Sequence, residues 1–261
     1  PNLLKINARA YHSVGIDFQN EQVRIGVVDL DGTIVALKEI PIMLPFRFLL
    51  LNSVSKNIED IIEECKLEKN TILGVGLGLP GIVDPDKRIV SYASSIGLYD
   101  PTDCSGLLEE FSHAIGLPVF VENDINAAAI GEFNARKLSN KDDLLYVSIG
   151  KGLGAGVILS GKLRRGVRNF AGEIAYTSFD THYDPRAQKE GWLEKEIRVS
   201  EIITKIKEMG HNKQTIDKDI DYLCSLVAQC ISNLSVFIDI DLLVVGGYLS
   251  ILLGSELLQL I

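Results

Sequence analysis

Two adjacent polar residues, Asn123 and Asp124, stand where a predicted strand gives way to a predicted helix. The unpaired N–H groups at a helix start stabilise a carboxylate there, so Asp124 is either a helix cap or a base that accepts a proton from a ligand hydroxyl. The Asn123 amide can both donate and accept hydrogen bonds, which suits sugar hydroxyls. This pair is the first candidate site.

Two further acids, Glu173 and Glu194, each follow a short segment that contains glycine. Taken alone, each is either a solvated surface acid or a ligand-binding acceptor. The four histidines adjoin no cysteine pair and no serine motif, so the sequence predicts neither a metal site nor a catalytic triad. These histidines are His12, His113, His182 and His211.

A glycine-rich turn lies upstream of Glu173. A β-rich run, Leu145 to Ile149, leads through glycines at alternate positions from 150 to 156 into a second β-rich run, Val157 to Leu159. Dinucleotide and P-loop motifs lead from their glycines into a helix, so both fit poorly. The turn either exposes its backbone to an anion or is a hairpin packed under another element.

These residues need elements to position them, and the pattern predicts two similar three-stranded meanders. The first meander runs through Val14 to Phe18, Val23 to Leu30 and Thr33 to Ile40. The second runs through Leu145 to Ile149, Ala155 to Leu159 and Lys162 to Val167. Two such units indicate an internal duplication with one copy in each of two domains.

Helices and buried strands alternate around the meanders. The predicted helices cover residues 58–65, 107–115, 126–138, 192–209 and 220–234, with a short apolar helix at the end. The predicted strands cover 71–79 and 119–121, and a buried strand covers 242–245. Helix followed by buried strand is typical of an α/β fold with parallel pairing.

Composition excludes several classes of protein. The formal net charge is −9, which disfavours direct binding of nucleic acid by this chain. The four cysteines lack metal-site spacing, and no apolar span long enough for a membrane is apparent. We therefore expect a reduced, cytoplasmic protein without a membrane partner, a metal or another cofactor.

With these motifs in view, the chain resembles the ROK family of sugar kinases and sugar-responsive transcriptional repressors. The resemblance runs through most of the chain. It rests on Gly15–Asp17, Leu79–Asp84, Val121–Ala128, Ser148–Gly156, Phe170–Ile174 and Val244–Gly247. It implies the actin-like ATPase (ribonuclease H-like) fold, with two α/β domains and a cleft between them. We expect these domains to cover residues 1–121 and 122–261.

The resemblance also implies a sugar site. In the family's kinases the residue matching Asp124 deprotonates the sugar hydroxyl, and residues matching Asn123, Glu173 and Glu194 bind sugar hydroxyls. We expect the site to comprise Gly81, Asn123, Asp124, Glu173 and Glu194. Ser95 stands where many relatives have a sugar-contacting asparagine, which indicates an altered sugar specificity.

Both phosphate loops depart from the kinase pattern. Family kinases carry Asp-x-Gly-Gly-Thr in the first loop, whereas this chain has Asp17, Gln19, Asn20 and Glu21 at the corresponding places. Side chains at these places occupy the space through which the backbone would contact the phosphates of ATP. A carboxylate beside a polyphosphate also weakens binding by about 1 to 4 kcal/mol through charge repulsion. In the second loop, Gly150–Gly152, Lys151 replaces the usual threonine and either attracts phosphate or blocks its space.

The family's structural zinc site is also missing its ligands. Tyr176 stands in place of the histidine and Trp192 in place of one cysteine, and the other two thiolates are absent between Arg186 and Glu194. We therefore expect no zinc, and a looser loop around Glu194.

Residues 1–13 resemble the segment that follows the winged helix-turn-helix domain and linker of the family's repressors. We therefore expect the DNA-binding domain to lie outside this chain. The chain also ends soon after Gly246 and Gly247, earlier than members of the family do, so we expect the last carboxyl-terminal helices to lie outside it as well.

The combined reading is a non-catalytic effector domain of a transcriptional regulator. It would bind a sugar or sugar phosphate in the interdomain cleft, act as a homodimer or dimer of dimers, and reach DNA only through the missing domain. An ATP-dependent sugar kinase with a degenerate first phosphate loop is the alternative. A third possibility is a dimerising scaffold that binds no small molecule.

Overall fold

The structure is a computed structural model that describes residues 5–19, 22–150, 152–182, 191–208 and 217–261. The chain divides into two compact units, Pro1–Ala127 and Ala128–Ile261. This division lies inside a helix, whereas the sequence placed the domain boundary between residues 121 and 122, within a strand. Each unit has its own apolar core.

The first unit is built on a five-stranded sheet in the order β3-β2-β1-β4-β8. The strands of the unit are β1 (His12–Phe18), β2 (Gln22–Asp29), β3 (Ile34–Pro41), β4 (Ile72–Leu79), β5 (Ile82–Asp84), β6 (Ile89–Ser91), β7 (Thr102–Asp103) and β8 (Val119–Asn123). Of these, β5, β6 and β7 form a separate three-stranded sheet. The meander β1–β3 is antiparallel, and β4 runs parallel to β1 and β8. The predicted first meander and the predicted parallel pairing are therefore confirmed.

Helices cover one face of this sheet. They are α1 (Phe46–Phe48), a π-helical segment (Leu49–Val54), α2 (Ser55–Glu64) and α3 (Ser105–Ile115). The predicted helices at 58–65 and 107–115 are confirmed, but the π-helical segment was not expected. It buries Leu49, Leu50 and Val54 in the core, a spacing that departs from the ordinary helical stripe.

The second unit contains a four-stranded sheet in the order β11-β10-β9-β12. Its strands are β9 (Leu144–Ile149), β10 (Leu153–Leu159), β11 (Lys162–Leu163) and β12 (Leu242–Gly246). The predicted strand, glycine turn and strand are confirmed as β9 and β10. The third strand of the second meander ends earlier than predicted, and β12 is only half-buried because it forms an edge of the sheet.

The remaining helices are α4 (Asp124–Ala135), which begins in the first unit, α5 (Trp192–Ile197), α6 (Val199–Glu208), α7 (Asp217–Ile238), α8 (Tyr248–Leu253) and α9 (Ser255–Leu260). The segment Lys218–Ile238 of α7 is long and apolar enough to cross a membrane by length and composition, so the expectation that no span reaches that length was wrong. Core helices satisfy the same criteria, and Leu223 and Val227 of α7 are fully buried in the second core.

The predicted helix over 192–209 is in fact two helices. Arg198 adopts the left-handed conformation, with φ 44° and ψ 52°, and separates α5 from α6. The apolar pattern explains the break, because the buried residues Ile197 and Val199 are two positions apart and no single helix face accommodates both. The backbone therefore changes direction at Arg198.

This conformation leads to a stability prediction. An L-residue in the left-handed region carries a steric cost that glycine avoids, so Arg198→Gly should raise the free energy of unfolding by about 0.5 to 1 kcal/mol. Arg198→Ala is the matched control and should give no gain. Chemical denaturation of the three proteins measures the difference, and equal effects of glycine and alanine would contradict the prediction.

Candidate functional site

The carboxyl ends of three parallel strands meet along one edge of the first unit's sheet. Asp17 in β1 lies opposite Gly78 in β4, and Leu79 lies opposite Asn123 in β8. Ligands of open α/β sheets bind beyond such strand ends. Strand pairing thus brings Asp17, Gly81, Asn123 and Asp124 to a common edge of this unit.

The Asn123 side chain connects three parts of this edge. Its Oδ1 accepts the N–H of Asn126 at 2.9 Å, which makes Asn123 the cap of α4. Its Nδ2 donates to the carbonyl oxygen of Gly81 at 2.8 Å and to Asp124 Oδ1 at 3.1 Å. The amide is therefore held at both ends and fixed in orientation.

Asp124 begins α4 but is not its capping residue. Its Oδ1 accepts the N–H of Ile125 at 2.8 Å as well as the Asn123 amide. Both hydrogen bonds hold the carboxylate at the helix start. This placement is compatible with the predicted role of a base for a ligand hydroxyl, while the capping role belongs to Asn123.

Gly81 occupies a position that only glycine tolerates. Its φ is +80°, and a Cβ atom there would lie 2.3 Å from the carbonyl oxygen of Ser91. The turn after β4 therefore depends on the missing side chain, and it directs the Gly81 carbonyl toward Asn123.

A supporting pair of residues escaped the sequence reading. Glu122 Oε1 accepts the backbone N–H of Asn123 at 3.0 Å and the Asn126 side-chain amide at 3.2 Å. Asn126 is 7% exposed. The i, i+4 spacing of these two polar residues at the strand-to-helix step was the available signal.

In the first phosphate loop, the Gln19 amide donates to Asp17 Oδ2 at 3.0 Å. Burial raises the pKa of Asp17, while this hydrogen bond and the charge of Arg24 partly oppose the increase. A side chain therefore contacts Asp17 at a place where the family's kinases carry glycine. Asn20 and Glu21 lie outside the described residues, as does Lys151 of the second loop.

The second phosphate loop is a tight turn between β9 and β10. The N–H of Gly150 donates to the carbonyl oxygen of Gly152 at 2.9 Å. This amide is used within the turn, and it is not available to an anion in this conformation.

Glu194 of α5 lies against this turn. A Cβ atom added to Gly152 would meet Glu194 Oε1 at 3.2 Å. Burial, together with the charge of Glu194, raises the pKa of Glu173 to about 6. The second unit therefore brings together Gly152, Glu173 and Glu194, which the sequence had divided between a phosphate loop and a sugar site.

Two glycines anchor these acids. A Cβ atom on Gly172, whose φ is +95°, would lie 1.9 Å from the carbonyl oxygen of Ala155, and one on Gly191 would lie 2.2 Å from that of Ala175. Gly172 also accepts the N–H of Ala155 at 2.7 Å. The backbone before Glu173 is thus pressed against β10, and the start of α5 against the turn that follows Glu173.

Aromatic pairs occupy the positions where the resemblance places zinc ligands. Tyr176 packs against Phe170 with ring centroids 5.2 Å apart, and Trp192 packs against Phe179 at 5.8 Å. Among the described residues no group of three or more potential metal ligands occurs. Trp192 anchors the start of α5 through this packing, and residues 183–190 lie outside the described part of the chain.

Comparisons with known proteins agree on one family. The family model for the ROK family matches residues 13–252. A xylose repressor of Bacillus subtilis is 34% identical over 189 residues, which is 69% of this chain and 46% of the repressor. A glucokinase of Halalkalibacterium halodurans is 28% identical over 62% of this chain and 48% of its own. This chain thus spans about half the length of each protein.

Solved structures share the fold. A ROK family transcriptional regulator, a homologue of the E. coli MLC protein, superposes with a TM-score of 0.74 at 20% identity, over 97% of this chain and 69% of that one. A ROK family glucokinase from Streptomyces griseus, in complex with glucose and AMPPNP, gives 0.72 at 22% identity, over 95% and 86%. The actin-like ATPase fold is therefore confirmed.

The hydrogen bonds of the Asn123 side chain predict a loss of stability when this side chain is replaced by alanine. Asn123→Ala removes the cap of α4 and the donor to Gly81, so the free energy of unfolding should fall by about 1 to 3 kcal/mol. Asn123→Asp keeps an acceptor for the Asn126 N–H but places a second carboxylate beside Asp124, so it should recover only part of this loss. Chemical denaturation measures both, and a loss below about 0.5 kcal/mol for the alanine variant would contradict the network's importance.

The raised pKa of Glu173 predicts that removing its charge stabilises the folded protein in a pH-dependent way. Its pKa of about 6 in the folded chain exceeds the ordinary value of 4.5, so the folded state binds the proton more tightly. Ionised Glu173 therefore lowers stability above pH 6, and this penalty disappears as pH falls towards 4.5. Glu173→Gln should raise the free energy of unfolding by up to about 2 kcal/mol at pH 7.5 and by little at pH 4.5.

Urea denaturation at these two pH values tests the prediction for Glu173. The exposed Glu196 provides the control, because Glu196→Gln removes the same charge from the same unit. A gain for Glu173→Gln that is equal at both pH values would show that the buried charge is not its cause.

Proposed function

The chain belongs to the ROK family, and we propose that it is the effector-sensing portion of a transcriptional regulator. In this proposal it binds a sugar or sugar phosphate and transfers no phosphate. The candidate site residues are Gly81, Asn123 and Asp124 in the first unit and Glu173 and Glu194 in the second.

The contact between Gln19 and Asp17 is the main observation that supports a non-catalytic protein. Glycine at this place would leave the backbone open to a polyphosphate, whereas the Gln19 amide occupies the space beside Asp17 and is bonded to its carboxylate. The turn at Gly150 adds to this argument, because its N–H is bonded to Gly152 within the loop. Both predicted phosphate loops are therefore poorly prepared for ATP.

Similarity to repressors supports the proposal of a regulator. Besides the Bacillus subtilis protein, a putative xylose repressor of Caldicellulosiruptor sp. is 29% identical over 84% of this chain and 55% of its own length. We propose that a sugar is also the effector here. Because the net charge is −9, the proposal gives this chain itself no contact with DNA.

We further propose that the protein acts in the cytoplasm as a homodimer or a dimer of dimers. Sugar binding would regulate it by favouring one of two conformations, which requires a higher affinity of the sugar for that conformation than for the other.

A sugar kinase is the second candidate, and the two retained aspartates favour it. Asp17 remains at the end of β1, and Asp124 lies at the start of α4, where a base for a sugar hydroxyl is expected. The similarity to glucokinases in sequence and fold agrees with this candidate. What opposes it is the chemistry of the phosphate loops rather than the fold.

Calorimetric titration distinguishes the candidates. We expect no heat from ATP with magnesium, and measurable binding of at least one sugar from a panel that includes D-xylose and D-glucose. Binding of ATP that strengthens when sugar is present, together with release of ADP, would replace the regulator with the kinase. A flat thermal-shift response to the whole panel would favour a scaffold.

Asp124→Asn tests the site within the same experiment. Losing the negative acceptor should weaken sugar binding at least tenfold, because a hydrogen bond to a charged group contributes about 1.5 to 3 kcal/mol. The control is Asp100→Asn, an exposed aspartate of the same unit, which should leave the affinity unchanged. Equal affinities of wild type and Asp124→Asn would remove Asp124 from the site.

A further inference from the structure

We infer that the side chain of Tyr92 is an aromatic surface on which the ring of the bound sugar stacks. The inference rests on the proposed sugar-binding function and deepens it, because it restricts the ligand to a cyclic sugar with an apolar C–H face. Tyr92 is then a ligand-binding residue that the sequence reading did not identify.

The backbone conformation of Tyr92 is the first argument. Tyr92 directly follows β6, and its φ of +57° lies in the left-handed region. This region carries a steric cost for every residue with a side chain, and bulky residues are found there only rarely. Such conformations persist where the surrounding structure imposes them, and they are concentrated at functional sites.

The exposure of the ring is the second argument. Tyr92 is 62% exposed, whereas Ser91 and Ala93 on either side of it are buried. Among the described residues the Tyr92 ring takes part in no aromatic pair, and its hydroxyl makes no hydrogen bond. Packing within the chain therefore does not offset the steric cost of a tyrosine here, and glycine would adopt the same backbone without that cost.

The location of Tyr92 is the third argument. The register of the β5–β6 ladder places Gly81 and Tyr92 side by side just beyond its end. The Tyr92 carbonyl carbon lies 2.9 Å from the place of a Cβ atom on Gly81. The carbonyl oxygen of Gly81 accepts the Asn123 amide, which also donates to Asp124. Tyr92 therefore adjoins the turn that holds the candidate sugar-binding residues of this unit.

The chemistry of a cyclic sugar matches these groups. A sugar ring carries hydroxyl groups around its edge and C–H groups on its faces, so it needs polar and apolar contacts together. Asn123 and Asp124 provide hydrogen-bonding groups for the hydroxyls. A tyrosine provides a large, rigid apolar surface that loses little conformational entropy on binding. The other proposed site residues, a glycine and two glutamates, offer no such surface.

Calorimetry with variants of Tyr92 tests the inference. The panel contains D-xylose, D-glucose and D-mannose, each with its open-chain polyol, namely xylitol, sorbitol and mannitol. Wild type should bind a sugar of this panel more tightly than the matching polyol, because the polyol has the hydroxyls but no ring face. Tyr92→Ala should weaken binding of that sugar by about fivefold or more, whereas Tyr92→Phe keeps the ring and should retain most of the affinity.

Tyr92→Gly separates ligand binding from folding. Because glycine relieves the left-handed backbone, the midpoint of urea denaturation should rise while the affinity for the sugar falls. Lys66→Gly is the matched control, since Lys66 is an exposed residue of the same unit with a φ of 54°, and it should raise the midpoint without changing the affinity. Tyr11→Ala removes an exposed tyrosine beside the amino end of β1 and should also leave the affinity unchanged.

The possible results separate the two proposals. Wild-type affinity in Tyr92→Ala, or equal binding of a sugar and its polyol by wild type, would overturn the inference and leave the proposed function intact. A Tyr92→Gly variant that loses stability together with affinity would also overturn it, because Tyr92 would then be a structural residue. A wild type that binds no sugar of the panel would remove the proposed function, and this inference with it.

Discussion

The Asn123 side chain connects the strand edge, the helix start and the Asp124 carboxylate in the first unit. A single amide reaches all three, because parallel pairing places the ends of β4 and β8 side by side. Gly78 in β4 belongs to the same arrangement, since a Cβ atom there would lie 3.4 Å from Asp124 Cα. The position of Asp124 is therefore set by the backbone around it, and a rigid amide is well suited to hold it.

In the second unit, backbone contacts and aromatic packing position the two acids Glu173 and Glu194. Its acids lie on a turn and a short helix, and close backbone contacts at Gly172 and Gly191 fix their approach. Packing of Trp192 on Phe179 supports the same helix without a metal. Burial, and to a smaller extent the charge of Glu194, raises the pKa of Glu173, a local cost that the folded unit sustains. Such a cost at a site is typical of function rather than of stability.

Much of the fold followed from local patterns, and the exceptions have local causes. β-branched runs with glycine turns predicted both meanders, and apolar stripes predicted α2, α3 and α7. The break at Arg198 was missed although the two-residue spacing of Ile197 and Val199 signals it. The π-helical segment at Leu49–Val54 could not be predicted, because an apolar sequence of this kind is equally compatible with an ordinary α-helix.

The site was less accessible to sequence reasoning, because its decisive contacts join distant parts of the chain. Nothing local to Gly152 indicates that Glu194 will lie over it, and nothing local to Gly81 indicates that its carbonyl will meet Asn123. The resemblance predicted which residues belong to the site, but it did not predict which of them contact one another. A glycine loop binds anions through open N–H groups, and here the N–H of Gly150 donates to Gly152 while the Glu194 carboxylate lies against Gly152. The shared fold therefore does not distinguish a kinase from a regulator, and the contacts around the phosphate loops have to be considered residue by residue.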